Sequence, residues 1–262
     1  MLTAMRTVTT IEDVRALADG ARSEGKVVGL VPTMGYLHDG HLSLMAAARR
    51  DCDLVVATIF VNPLQFAPDE DLAAYPRDPD GDAAKAAGAR VHVLFMPGNE
   101  EMYPRPVLTT VSVAELSQGM EGATRPTHFD GVSTVVTKLF AIVGPCRAYF
   151  GEKDYQQLLL IRGMVEAFFL PVEIVPCTTV RADDGLALSS RNERLSAEGR
   201  ILAPDFHRVL ASAADSREAR DRLSELGFQV DYVVDSDGRR FGAVMVDGVR
   251  LIDNLPLSHD EV

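Results

Sequence analysis

The 262-residue chain is 47% hydrophobic and carries a formal net charge of −12, so it can fill a large core. That acidic balance excludes a broad nucleic-acid or anionic-membrane footprint, which needs clustered Lys and Arg. Cys52, Cys146 and Cys177 form no CxxC pair, no apolar run approaches the ~20 residues of a membrane span, and Glu12 and Asp13 stand where a signal peptide needs an apolar stretch. A disulfide framework and a structural zinc site are therefore not indicated, and a soluble cytoplasmic protein without nucleic-acid or membrane partners is expected.

In chain order, Ile11 to Ser23 reads as an amphipathic helix, and Lys26 to Val31, ending at Pro32, as a buried strand. A helix from His41 to about Arg50 leads to a second apolar strand, Leu54 to Val61. This βαβ opening predicts a parallel sheet. Alternation continues through a helix at 79–87, a strand at 91–95, a helix at 132–143, a strand at 148–150, a helix at 155–169 and a strand at 172–175. The predicted fold is α/β, a Rossmann-like doubly wound parallel sheet over residues 1–180, whose ligands bind at the carboxyl ends of the strands. Residues 181–262 are expected to form a small C-terminal α+β lid domain. There Ser216 to Arg222 reads as a solvated helix face, and Asp237-Gly238 and Asp247-Gly248 as turns between strands.

The segment Pro32-Thr33-Met34-Gly35-Tyr36-Leu37-His38-Asp39-Gly40-His41 joins the first of these strands to the helix it feeds. A strand-to-helix junction offers backbone N–H groups and a positive dipole end to an anion. Two histidines three apart at the helix start can donate to phosphate oxygens. The same pair also reads as a helix-capping arrangement, and less readily as a zinc site, since no HExxH pattern accompanies it.

PTMGYLHDGH resembles the signature of the pantothenate synthetase family, whose HxGH element corresponds to HIGH in class I aminoacyl-tRNA synthetases. Phe60-Val61-Asn62-Pro63-Leu64-Gln65-Phe66, Arg125 to Leu139, Phe150 to Leu158 and Asp184 to Asn192 are similar to further blocks of the family, in the family's order. Arg250-Leu251-Ile252-Asp253-Asn254 is similar to its ending, although the stretch after Leu195 is shorter than the family's.

The resemblance implies an ATP-dependent ligase that condenses pantoate with β-alanine through an enzyme-bound pantoyl adenylate, with ATP and Mg2+ as cofactors and a homodimer as the assembly. It implies His41, His38 and Lys153 as catalytic residues. ATP contacts are expected from Met34, Gly35, Tyr36, Leu37, His38, Asp39, Gly40 and His41, from Gly151, Glu152, Lys153 and Asp154, and from Val180, Leu188, Ser189, Ser190 and Arg191. Ser189 to Arg191 is similar to the superfamily's KMSKS-type loop, and reads equally as a plain helix cap before Asn192. Gln65 and Gln157 are candidates for pantoate, since an amide serves both hydroxyl and carboxylate groups. Magnesium is expected mainly on the phosphates, with Asp78, Asp80 or Asp82 as candidate helpers that more often form a solvated helix start and are left unassigned.

Overall fold

The computed structural model describes residues 4–66, 72–73, 75–114 and 116–257. The chain divides into two compact units, Met1–Glu152 with Gln156–Cys177, and Lys153–Tyr155 with Thr178–Val262.

The larger unit runs β1 (Arg6–Val8), α1 (Ile11–Ser23), β2 (Val28–Thr33), α2 (Asp39–Asp51), β3 (Leu54–Ile59), α3 (Pro79–Gly88), β4 (Val93–Phe95), α4 (Asn99–Met102), α5 (Glu121–Thr124), α6 (His128–Val143), β5 (Cys146–Gly151), α7 (Tyr155–Ala167) and β6 (Val172–Cys177). Its strands pair in parallel in the order β1-β4-β3-β2-β5-β6. The chain winds outward from β2 through β3 to β4, then returns to the other side of β2 for β5 and β6. The winding thus reverses between β2 and β5, and a crevice opens at the carboxyl ends of such a neighbouring pair. Buried on both faces, the central strands are continuous apolar runs, with Val31, Val55, Ala57 and Leu94 packed in one cluster with Met45 and Ala48 of α2.

β2 extends two residues past its expected end, through Pro32 to Thr33. Pro32 is tolerated because β5 pairs only with Gly29 and Leu30 of β2, while the neighbouring Thr33 carbonyl turns toward β3 and accepts from Phe60 N–H. The N–H that proline lacks would point to the side where the ladder has already ended. The extra two residues carry the chain to the Met34–Leu37 loop that leads into α2.

The smaller unit holds a 3-10 turn at Ser190–Arg194, then α8 (Ala197–Leu202), α9 (Pro204–Ser212), α10 (Ser216–Glu225), β7 (Gln229–Ser236), β8 (Arg239–Val246) and β9 (Val249–Pro256). The three strands form an antiparallel sheet. Both Asp-Gly pairs sit at its hairpin turns with positive φ at both residues, 48° and 71° for Asp237 and Gly238, 49° and 74° for Asp247 and Gly248. That is the backbone a two-residue type I′ turn requires. α10 turns Ala219 and Leu223 into a core shared with Phe206, Val209, Val244 and Leu251, leaving its charged residues on the outer face. Arg240 is buried, with its guanidinium on Asp235 and on the carbonyls of Leu210 and Ala213.

Candidate functional site

In the larger unit the loop from Met34 to Leu37 leaves the carboxyl end of β2. Gly35 and Tyr36 both have positive φ, 83° and 52°. A Cβ on Gly35 would stand 2.9 Å from both Asp82 Oδ2 and Ile59 Cγ2, so the position needs glycine for conformation and for space. The tight turn aims successive amides at one acceptor: Asp82 on α3 takes Tyr36 N–H at 2.8 Å and Leu37 N–H at 2.6 Å. Asp82 is 1% exposed. It is therefore no part of a solvated helix start, because both of its oxygens anchor this loop. Asp78 does sit at that start, capping α3 through Gly81 N–H. Lys85, one turn on from Asp82, donates to the Leu37 carbonyl at 2.8 Å.

His38 is the N-cap of α2, and the two histidines cap reciprocally. His38 Nδ1 accepts from Gly40 N–H at 3.1 Å, and His41 Nδ1 accepts from His38 N–H at 3.3 Å. The rings lie 4.1 Å apart between centroids. With each Nδ1 lone pair used by the backbone, the neutral ring carries its proton on Nε2. Capping and anion binding are thus compatible, since the cap occupies Nδ1 and fixes Nε2–H as the donor.

After β3, Asn62 and Gln65 bracket a short 3-10 turn, Pro63–Gln65. Both are buried. Gln65 Nε2 donates to Met34 Sδ at 2.8 Å, and Asn62 Nδ2 donates to Gln65 Oε1 at 3.3 Å and to the Gly131 carbonyl at 3.0 Å. Residues from the loops after β2 and β3 and from the first turn of α6 therefore meet. The Gln65 carbonyl accepts from His128 Nδ1 at 3.0 Å and from Arg125. Tyr103 completes the group, donating from its hydroxyl to Asn62 Oδ1 at 2.8 Å, with burial pushing its pKa up to about 12. Phe60, Val132, Val135 and Val136 are buried beside these polar groups in sequence. Gln157 is half-buried on α7, whereas its neighbour Gln156 is committed to structure, bonding the carbonyls of Leu116 and Gly119 and the amide of Glu121.

The sequence alone leaves Asn62, Tyr103 and Asp82 without a role. Asn62-Pro63 directly after a strand is the available sign for the first; Tyr103 and Asp82 carry none.

The smaller unit gathers a second set. β5 ends at Gly151, and Glu152, Lys153 and Asp154 form a 3-10 turn. Lys153 Nζ lies 3.6 Å from Asp154 Oδ1. Lys153, Ser189, Arg191, Asn192, His207 and Arg250 share one cavity of this unit. Ser189 caps the turn that follows by accepting Arg191 N–H at 3.2 Å, and Leu188 N–H donates to the Val180 carbonyl at 3.0 Å. Of the expected ATP contacts, Lys153 is thereby brought together with Ser189 and Arg191. Among the described residues, no three His, Cys, Asp or Glu side chains group as a metal site, and no helix is long and apolar enough to cross a membrane.

The chain matches the family model described as pantoate-beta-alanine ligase over residues 6–256. It is 47% identical to a pantothenate synthetase of Paracoccus denitrificans, over 96% of this chain and 98% of that protein. A crystal structure of pantothenate synthetase from Thermus thermophilus superposes with a TM-score of 0.89 at 46% identity, covering 96% of this chain and 99% of the other. Another, of pantoate-beta-alanine ligase from Francisella tularensis complexed with beta-gamma ATP and beta-alanine, gives 0.91 at 36% identity, covering 97% and 98%. With the doubly wound sheet, the His38–His41 helix start and the Asn62–Gln65 turn all within the matched span, the chain belongs to the pantoate-β-alanine ligase family.

Proposed function

We propose that this chain condenses pantoate with β-alanine at the expense of ATP, through a pantoyl adenylate, releasing pyrophosphate and AMP. The observation that carries the reading is the reciprocal His38–His41 cap at the end of β2, which turns two Nε2–H donors into a fixed pair at a helix N-terminus. In the first step a pantoate carboxylate oxygen attacks the α-phosphorus of ATP, and the bond to the bridging α–β oxygen breaks. Charge builds on the departing pyrophosphate. His41 and His38 are assigned to stabilise it, and donors preorganised in this way act without reorganisation cost in the transition state. In the second step the neutral amine of β-alanine attacks the acyl carbon, its nitrogen gives up one proton to solvent, and AMP leaves with the C–O electron pair.

Met34 to His41 and Gly151 to Asp154 are assigned to ATP, together with Val180 and Leu188 to Arg191. The shared cavity of Lys153, Ser189 and Arg191 supports that assignment, because an ammonium, a hydroxyl and a guanidinium are the donors a polyphosphate takes. Pantoate is assigned to Gln65 and Gln157, with Asn62 beside Gln65 as a further polar contact. Magnesium neutralises phosphate charge when bound. Asp82 spends both oxygens on loop amides and Asp78 caps a helix, which fits an ion held mainly by the nucleotide and water. A homodimer, a cytoplasmic location and a lid role for residues 181–262 complete the proposal.

The test is isotope exchange. Enzyme, ATP, magnesium and pantoate without β-alanine should pass labelled pyrophosphate into ATP, and His41→Ala should lower that rate by ~10²–10³. Production of ADP in place of AMP, or no exchange until the amine is present, would overturn the adenylate route.

A further inference from the structure

We infer that Asp253 and Asn254, consecutive residues of β9, are positioning residues that set the two ATP-contacting segments of the smaller unit. Both are buried polar residues. Successive strand residues point to opposite faces, and here the two side chains reach different segments.

Asn254 Nδ2 donates to the Lys153 carbonyl at 2.9 Å. Its Oδ1 accepts from Arg239 Nε at 3.0 Å and Nη2 at 2.7 Å. Arg239 is in turn fixed, its guanidinium stacked 3.9 Å above the Tyr155 ring. The backbone that carries Lys153 is thus gripped from β9, and Tyr155, two residues on, is gripped from β8.

Asp253 faces the other segment. Arg181 meets it in a fork, Nη1 to Oδ2 at 2.7 Å and Nη2 to Oδ1 at 2.9 Å, and His207 Nδ1 lies 3.1 Å from Oδ2. Arg181 Nη1 also donates to the Gly185 carbonyl at 3.1 Å. Residues 180–188 form a small hairpin, bridged at Arg181 and Ala187 and closed at its ends by Leu188 N–H on the Val180 carbonyl. Ser189 follows directly. Asp253 therefore holds the hairpin from which Ser189 to Arg191 emerge, and burying a carboxylate for that purpose costs energy unless it is paired and hydrogen-bonded as this one is. Neither residue is argued to touch the nucleotide. Each acts through the segment it holds, and the inference rests on the proposed reading that Lys153, Ser189 and Arg191 contact ATP.

The test is a pair of double-mutant cycles on ATP–pyrophosphate exchange, with folding followed by circular dichroism. Asn254→Ala should lower kcat/KM for ATP roughly ten- to a hundredfold, the scale of a small misplacement of a contact group. In a Lys153→Ala background the same change should add less than about twofold, because the partner it serves is gone. Asp253→Asn should behave likewise in wild type and in an Arg191→Ala background. Equal losses in both backgrounds would make these residues merely structural and overturn the inference, as would wild-type kinetics for the single variants. Full activity of Lys153→Ala and Arg191→Ala would instead overturn the ATP-contact reading, and the inference with it. If Asn254→Ala does not fold, Asn254→Asp keeps the acceptor for Arg239, turns the donor to the Lys153 carbonyl into a carboxylate oxygen that repels it, and runs through the same cycle.

Discussion

Asp82 makes the most exacting test of how the Met34–Leu37 loop is built. In Asp82→Ala, two N–H groups lose a carboxylate 2.8 and 2.6 Å away in a nearly water-free setting. Hydrogen bonds to charged groups contribute about 1.5–3 kcal/mol each, so the two together set a ceiling of about 3–6 kcal/mol. The Tyr36 amide is only partly buried and water can recover some of its share, whereas the Leu37 amide is buried. A loss of about 2–4 kcal/mol is therefore expected. Asp82→Asn is the sharper variant. It keeps size and shape, but its amide can accept only one N–H and sets a donor against the other, for a loss of about 1–3 kcal/mol. Gly35 and Tyr36 hold positive φ, and without their acceptor the loop should relax toward ordinary backbone, shifting the residues that lead into His38. A shift of that kind lowers kcat/KM for ATP by up to about 10²-fold. The chain has no tryptophan, so urea unfolding is best followed by circular dichroism and read beside ATP-dependent exchange. Asp82→Asn with wild-type stability and wild-type ATP kinetics would refute the account of this loop.

Two further outcomes follow from groups at the sites. Gln65→Ala removes the amide shared between Met34 and Asn62 and should weaken pantoate by about 1–3 kcal/mol while ATP affinity changes little; calorimetry showing equal losses for both ligands would return Gln65 to a structural role. For Asp253, burial pushes the carboxyl pKa up, but the hydrogen bonds from His207 and Arg181 and their charges outweigh it and hold the value below the usual carboxylate range. Its stabilisation is then fully present above the unfolded value of about 3.9 and is lost as pH falls through the lower folded value. The difference in melting temperature between wild type and Asp253→Asn should accordingly shrink as pH falls below about 4, and a gap unchanged across that range would show that the carboxylate charge is not what stabilises.

What can be read in the sequence is local. The apolar strand runs, the helix at Ile11–Ser23 and the Asp-Gly hairpins are each written within a few neighbouring residues, and so is the strand-to-helix junction at His38–His41. What cannot be read depends on a partner far along the chain. Asp82 has the pattern of a solvated first turn, Pro79-Asp80-Gly81-Asp82, and only its pairing with amides 45 and 46 residues away makes it internal. Arg181 and Asp253 are 72 residues apart. β1 is not legible because three residues at a sheet edge carry too little periodicity to stand out, and its place is set by pairing with β4. The end of β2 lies beyond its expected place because the rule that proline stops a strand omits where the ladder itself stops.

Under the proposed reading, the two segments assigned to ATP share one logic, in which a structural cap and the assigned phosphate donor are the same side chain. A histidine at an N-cap gives its Nδ1 lone pair to the helix, and the ring's remaining proton is thereby held at Nε2. A serine at an N-cap gives an oxygen lone pair to the turn, and its hydroxyl proton stays with the other side of the atom. His38 and Ser189 are both in this position. Reading such a residue as either a cap or a site sets up a false choice, because the cap is what removes the rotational and tautomeric freedom a preorganised donor must lack. The same reasoning separates Gln65 from Gln156. Gln156 spends both ends of its amide on backbone groups of residues 116–121, whereas Gln65 meets side chains at both ends, its oxygen on the Asn62 amide and its donor on a thioether, a weak acceptor that the proposed substrate oxygen can displace at small cost.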